Sequence, residues 1–189
     1  RCVIERIYEK GCPKGRPVMN IVQIVGYKKS GKTTLACRLI ERFAAEGLAV
    51  GALKHDAHEF EPDAAGTDSH RLRQAGARAA AVASARRTAW FEERGSELGE
   101  LVSRMDALGM DLVVAEGWKR EPYPKLALVQ RAEDLSLLSG LTGVIAAVTW
   151  NAELRERLRQ AAGEAPVLAY DDTEGIAACV RRALGLKGR

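Results

Sequence analysis

The chain has no apolar run approaching the roughly 20 residues that a membrane-crossing helix requires. Aromatic residues make up only 5% of its 189 residues, too few for the rows of stacking platforms that hold single-stranded nucleic acid. A basic stripe is also missing. Much of the net charge of +4 resides in residues 1–18, where Arg1, Arg6, Lys10, Lys14 and Arg16 face only Glu5 and Glu9. The rest is close to neutral, which argues against a nucleic-acid-binding surface. Cysteine is sparse: Cys2, Cys12, Cys37 and Cys179 form no C-x-x-C pair and match no common zinc spacing. Cys37 and Cys179 are expected as small buried residues in a reducing compartment, and Cys2 and Cys12 as free thiols. Residues 1–18 carry charge throughout and lack the apolar core of a secretory signal. The expected location is therefore the cytoplasm.

What is present is the composition of a soluble globular domain, 47% hydrophobic and 29% charged. Residues 1–18 contain Gly11, Pro13, Gly15 and Pro17 without periodicity and are expected to be a flexible tail. Residues 19–189 are expected to form one domain.

The stretch Gly26-Tyr27-Lys28-Lys29-Ser30-Gly31-Lys32-Thr33-Thr34 follows the apolar run Ile21–Val25. It is a P-loop, G-x-x-x-x-G-K-[ST]. Gly26 and Gly31 let the backbone curl so that successive N–H groups point into one concavity. Lys32 can reach the β- and γ-phosphates, and the Thr33 hydroxyl can sit on Mg²⁺. The helix that follows, marked by Leu35, Leu39, Ile40 and Phe43 at helical spacing, offers its free N–H groups to an anion. A bare glycine-rich turn would give no reason for the Lys-Thr pair.

Further along, apolar strands alternate with amphipathic helices. Strands are expected at 48–53, 77–83, 111–115, 125–130, 143–149 and 167–170. Helices are expected at 69–75, 96–108, 152–162 and 174–184, while 86–93 reads as a short strand or hairpin. This alternation predicts an α/β sandwich with a mostly parallel sheet, the P-loop NTPase architecture. Ligands then bind beyond the carboxyl ends of the strands.

The strand ends carry charge. One delivers Lys54-His55-Asp56-Ala57-His58-Glu59-Phe60, with Asp63 and Asp68 following. Asp56 is a candidate for holding Mg²⁺ or orienting a water, against the alternative of a solvated acidic loop. Asp68 can equally cap the helix at Ser69. His55 and His58 are three apart, a spacing that suits a metal only on a helix. Another strand delivers Glu116-Gly117, and a carboxylate there is the expected companion of Thr33 at Mg²⁺. The aromatic and basic loop 118–125 reads either as a contact for an anionic substrate or partner, or as a stiff exposed connection. The late strand ends Val148-Thr149-Trp150-Asn151, without the Asn-Lys-x-Asp tetrad of many GTP-binding proteins, so the base is not fixed by these residues.

Taken together, Gly26–Thr34, Lys54–Phe60 with Asp63-Ala64-Ala65-Gly66-Thr67-Asp68-Ser69, Gln74-Ala75-Gly76-Ala77, and Glu116-Gly117-Trp118-Lys119 with Pro124-Lys125 resemble the molybdopterin-guanine dinucleotide biosynthesis adapter (MobB) family. The resemblance runs from about Met19 to Trp150. It implies a small GTP- and Mg²⁺-binding homodimer of molybdenum-cofactor biosynthesis that hydrolyses GTP weakly. It implies a partner guanylyltransferase (MobA-like) that joins GMP to molybdopterin, with molybdopterin itself a candidate ligand. On this reading residues 26–34 hold the nucleotide, Lys32, Asp56 and Glu116 serve any hydrolysis, and Thr33, Asp56 and Glu116 hold the metal. Two departures stand out: Lys29 and Thr67 take positions where the family usually has Asn and Lys. Two other readings stay open on the residues alone, an ATP-dependent small-molecule kinase or ligase and a metallocentre-assembly GTPase.

Overall fold

A computed structural model describes residues 19–56, 61 and 63–186. The described chain falls into two compact units, one running to His55 and resuming at Leu101, the other spanning Asp56–Glu100.

The larger unit is built on a six-stranded sheet of β1 (Ile21–Gly26), β2 (Val50–Lys54), β5 (Leu112–Glu116), β6 (Lys125–Leu128), β7 (Val144–Thr149) and β8 (Val167–Ala169). Its order is β2-β5-β1-β6-β7-β8, and every pairing is parallel. Parallel strands covered on both faces read as nearly unbroken apolar runs. That is why β5 and β6 are buried almost end to end.

Alternation along β1 distributes its side chains between the two faces. Val22 and Ile24 join Leu35, Leu39 and Phe43 of helix α1 (Lys32–Ala45) and Ile176 and Val180 of helix α6 (Thr173–Leu184). Val25 joins Ala127, Val129 and Ala147 on the other face. There they pack with Leu138 of helix α4 (Ser136–Ser139) and Leu158 of helix α5 (Arg155–Ala162). Each wholly buried Leu or Phe contributes about 1.5–3 kcal/mol. The result is the expected three-layer α/β arrangement, with the carboxyl ends of the strands on one edge.

Cys37 differs from expectation. It is exposed, because Leu35, Ala36, Leu39 and Phe43 define the inward stripe of α1 and residue 37 lies about 200° round the helix from residue 35. Cys179 is buried as expected, and its thiol donates to the Ile145 carbonyl. Cys2 and Cys12 lie outside the described residues. The expected helix at 152–162 begins as a 3₁₀ turn, Ala152–Leu154, capped by the Asn151 side chain.

The smaller unit holds helix α2 (Asp68–Gln74) and an antiparallel hairpin of β3 (Ala79–Ala83) and β4 (Thr88–Glu92). The hairpin settles the ambiguous stretch at 86–93. Ser84 closes its turn, with Oγ accepting from the Arg87 N–H. The cap of α2 is Thr67, not Asp68: the Thr67 hydroxyl accepts from the His70 N–H and also lies 3.0 Å from Asp63 Oδ1. A lysine at 67 could not make that cap. Arg73 is clamped between Glu61 and Glu93, with its guanidinium over the Phe91 ring. Helix α3 (Leu98–Ala107) continues the chain from this unit into the larger one.

Candidate functional site

The loop between β1 and α1 lies at the carboxyl edge of the sheet, one strand from β5 and one from β6. Its glycines do different work. Gly31 adopts φ 84° as the residue capping α1, a left-handed conformation that costs other residues about 1–2 kcal/mol. Gly26 has no such φ; a Cβ there would come within 2.6 Å of Ser30 Oγ and 3.0 Å of the Leu128 carbonyl oxygen. The other left-handed residue of the loop is Lys29, φ 62°. Helix α1 begins with no side-chain cap and no acidic residue in its first turn. Its first N–H groups are thus not claimed by a capping side chain, as anion binding at a helix start requires.

Lys32 Nζ donates to the Tyr27 carbonyl at 2.7 Å, folding back over its own loop. Partial burial holds its amine below the ordinary lysine range. Glu116 opposes that shift, and the positive charges of Lys54 and Lys119 add to it. Lys119 also lies over the Tyr27 ring, 5.4 Å from its centroid. Lys32 with the positive charges of Lys54 and Lys119 acting on it favours a polyanion, whose charge would offset their repulsion of its amine.

β5 supplies the carboxylate. The Thr33 hydroxyl donates to Glu116 Oε2 at 2.7 Å, bringing together the two groups expected to share Mg²⁺. One hydroxyl and one carboxylate are hard oxygen donors, and a protein needs only one or two such groups when phosphates and waters complete the shell. The site therefore fits a Mg-nucleotide. Tyr27, Lys28 and Lys29 are exposed at the crest of the loop, Thr33 and Thr34 are exposed at the start of the helix, and Ser30 is buried inside. No cluster of three or more His, Cys, Asp or Glu side chains suited to a metal occurs among the described residues.

The remaining expectations fare differently. Asp56 follows His55 in sequence and opens the smaller unit. His58 lies outside the described residues, so the His55–His58 pairing does too. The His55 ring packs against the Trp118 ring, centroids 5.1 Å apart. The loop after Glu116 is pinned from below. Gln23 Nε2 donates to the carbonyls of Gly117 (3.1 Å) and Trp118 (2.7 Å), and Lys125 Nζ donates to those of Glu121 and Tyr123. Lys125 is fully buried, and burial lowers its amine to about 8, against the opposing pull of Glu121. Gly117, φ 105°, lies where a Cβ would meet His55 Cβ at 2.8 Å.

Gln23, Gln130 and Tyr170 were not among the expected site residues. The two glutamines were readable as polar residues in otherwise apolar runs, Gln23 inside β1 and Gln130 just past β6, buried positions that demand hydrogen-bond partners. Tyr170 gave no such signal.

Comparison with known proteins agrees with this geometry. Residues 21–150 match the family model described as molybdopterin guanine dinucleotide synthesis protein B, MobB. The chain belongs to the MobB family. A relative from Bacillus subtilis (strain 168), a probable molybdopterin-guanine dinucleotide biosynthesis adapter protein, is 37% identical over 64% of this chain and 71% of its own length. The corresponding adapter protein of Escherichia coli (strain K12) is 32% identical over 86% of this chain and 92% of its own. The crystal structure of Bacillus subtilis MobB superposes with a TM-score of 0.73 at 32% identity, covering 90% of this chain and all of that one. The matched MobB segment contains the P-loop, Glu116 and the pinned loop beyond it. No helix among the described residues is long and apolar enough to cross a membrane.

Proposed function

We propose that this MobB-family protein is a cytoplasmic GTP-binding adapter of molybdenum-cofactor biosynthesis, assisting the conversion of molybdopterin to its guanine dinucleotide. Its partner is a MobA-like guanylyltransferase, and it works as a homodimer. The observation that carries the nucleotide reading is the Thr33–Glu116 hydrogen bond beside Lys32 in a P-loop. The adapter role follows from family membership.

In this reading the backbone amides of residues 26–34 cradle the phosphates. Lys32 exchanges the Tyr27 carbonyl for a phosphate oxygen. Thr33 and Glu116 would hold Mg²⁺, with Asp56 as a further candidate ligand. Bound Mg²⁺ supplies neutralisation of phosphate charge. Hydrolysis is slow without an arginine aimed at the transferred group, since such a residue supplies about 10³–10⁵ in rate. Arg71, Arg73, Arg86 and Arg87 are candidates only if a dimer brings one of them across; within the chain Arg73 is engaged by Glu61 and Glu93 and Arg71 lies 3.8 Å from Asp68. The pinned loop 117–124, rooted directly after Glu116, is placed in sequence to report nucleotide state to a partner.

The test is calorimetric titration of GTP and ATP with Mg²⁺ into the protein and its Lys32→Ala variant. GTP binding favoured over ATP and weakened on the order of 10–100-fold in the variant, the worth of a charge-assisted hydrogen bond to phosphate, is expected. Preference for ATP, or equal binding by both proteins, would overturn it.

A further inference from the structure

The carboxyl ends of β6, β7 and β8 are tied to the P-loop by bonds that phosphate binding does not use. Gln130, just past β6, donates from Nε2 to the Ser30 carbonyl at 3.4 Å. Its Oε1 accepts from the Trp150 N–H at 3.0 Å and lies 3.4 Å from the Thr149 hydroxyl. Tyr170, just past β8, donates its hydroxyl to the Gly31 carbonyl at 2.8 Å. The Trp150 and Tyr170 rings meet at 83° with centroids 5.0 Å apart. Tyr170 is in turn covered by the Arg38 guanidinium, 5.2 Å from its centroid. A Cβ at Gly31 would lie 3.0 Å from Trp150 Cζ3, so the indole stands directly beside the last glycine of the phosphate loop.

Tyr170 is 9% exposed, whereas Trp150 is 52% exposed. A large ring is thus held by its backbone N–H and by a buried neighbour while half its surface faces solvent. Leaving so much aromatic surface in water gives up burial that such a ring ordinarily provides, and the bonds around it fix its orientation without covering it.

The direction of a bound triphosphate follows from the sheet. Glu116 stands at the end of β5, on one side of β1, and β6, β7 and β8 lie on the other. The terminal phosphates belong with Lys32, Thr33 and Glu116. The nucleoside therefore leaves the loop towards the ends of β6–β8, where Trp150 stands. We propose that Trp150 is the platform on which the purine ring of the bound nucleotide stacks, with Tyr170 and Gln130 as positioning residues that lock this platform to the P-loop. The proposal rests on the nucleotide reading above. It assigns the base to an aromatic face in a chain that lacks the Asn-Lys-x-Asp tetrad after this strand. Every base has such a π-face to offer, so Trp150 supplies affinity for a purine and leaves the choice between purines to other groups.

The experiment compares Mg·GTP with Mg·tripolyphosphate, which has the phosphates and no base. Both are titrated into the wild-type protein, Trp150→Ala and Trp150→Phe. Trp150→Ala is expected to weaken GTP about tenfold or more, the worth of one base–aromatic stack, to leave tripolyphosphate affinity unchanged, and to be largely rescued by Phe. Retained tripolyphosphate binding also shows that the variant keeps its folded P-loop. Unchanged GTP affinity, or equal loss of both ligands, would overturn the platform while leaving the P-loop reading standing. A wild-type protein that binds neither ligand would overturn the nucleotide reading itself.

Discussion

The Thr33 hydroxyl donates to Glu116 Oε2 across 2.7 Å, joining residues 83 positions apart in sequence. The bond depends on β1 and β5 being neighbours in parallel register, with Ile24 opposite Glu116. Helix α1 leaves the loop after β1 and carries Thr33 back over the end of β5. Glu116 is thereby set against Thr33, its partner in the proposed Mg²⁺ site.

Replacing Glu116 by Gln keeps the shape and removes the charge. The Mg²⁺-dependent part of GTP affinity is expected to fall about 10–100-fold, as when groups supporting a metal are altered, while binding in the presence of a chelator changes little. Titrations with and without Mg²⁺ check this. An equal change under both conditions would mean that Glu116 serves the fold and not the metal.

Lys125 gives the protein a pH signature. Its amine titrates near 8 when folded, against 10.5 as the ordinary lysine value. Below about 8 it is charged in both states. Between about 8 and 10.5 the unfolded chain binds the extra proton, so stability rises with pH across this window and then levels off. The rise is on the order of 1–3 kcal/mol. Urea denaturation from pH 7.5 to 10.5 should show a flatter profile for Lys125→Met than for the wild type. Met also leaves the Glu121 and Tyr123 carbonyls without their donor, so it is expected to lower stability at the upper end of the range. Parallel profiles for the two proteins would rule out this role for Lys125.

Lys29 holds a left-handed backbone, φ 62°, which asparagine tolerates better than lysine. Lys29→Asn is expected to stabilise the protein by up to about 1 kcal/mol, raising Tm by roughly 2–4 °C for a chain of this length. Thermal denaturation followed by circular dichroism measures it. A lower Tm would mean that the lysine stem contributes more than its backbone costs.

Much of the fold was legible because its signals are local. Parallel strands buried on both faces announce themselves as unbroken apolar runs, as at 112–116 and 125–128, and the P-loop is a single continuous motif. Errors arose where one residue's fate depends on which stripe faces inward. Cys37 looked like a core residue until the packing of α1 set its phase, and Asp68 yielded the cap of α2 to Thr67 because the helix begins at Asp68 itself and Thr67 is the extended residue before it, whose hydroxyl reaches the His70 N–H.

The sequence by itself determined the α/β class, the phosphate loop with Lys32 and Thr33, and Glu116 as a strand-end acid, since each is written in neighbouring residues or in short-period alternation. Only the tertiary structure decided which strand ends stand beside the loop. The order β2-β5-β1-β6-β7-β8 is set by long-range pairing, which leaves no local mark in the chain. That order brings Glu116 to Thr33, Gln130 to Ser30, and Tyr170 to Gly31. It also leaves Trp150 standing beside Gly31 of the P-loop with half its surface in water.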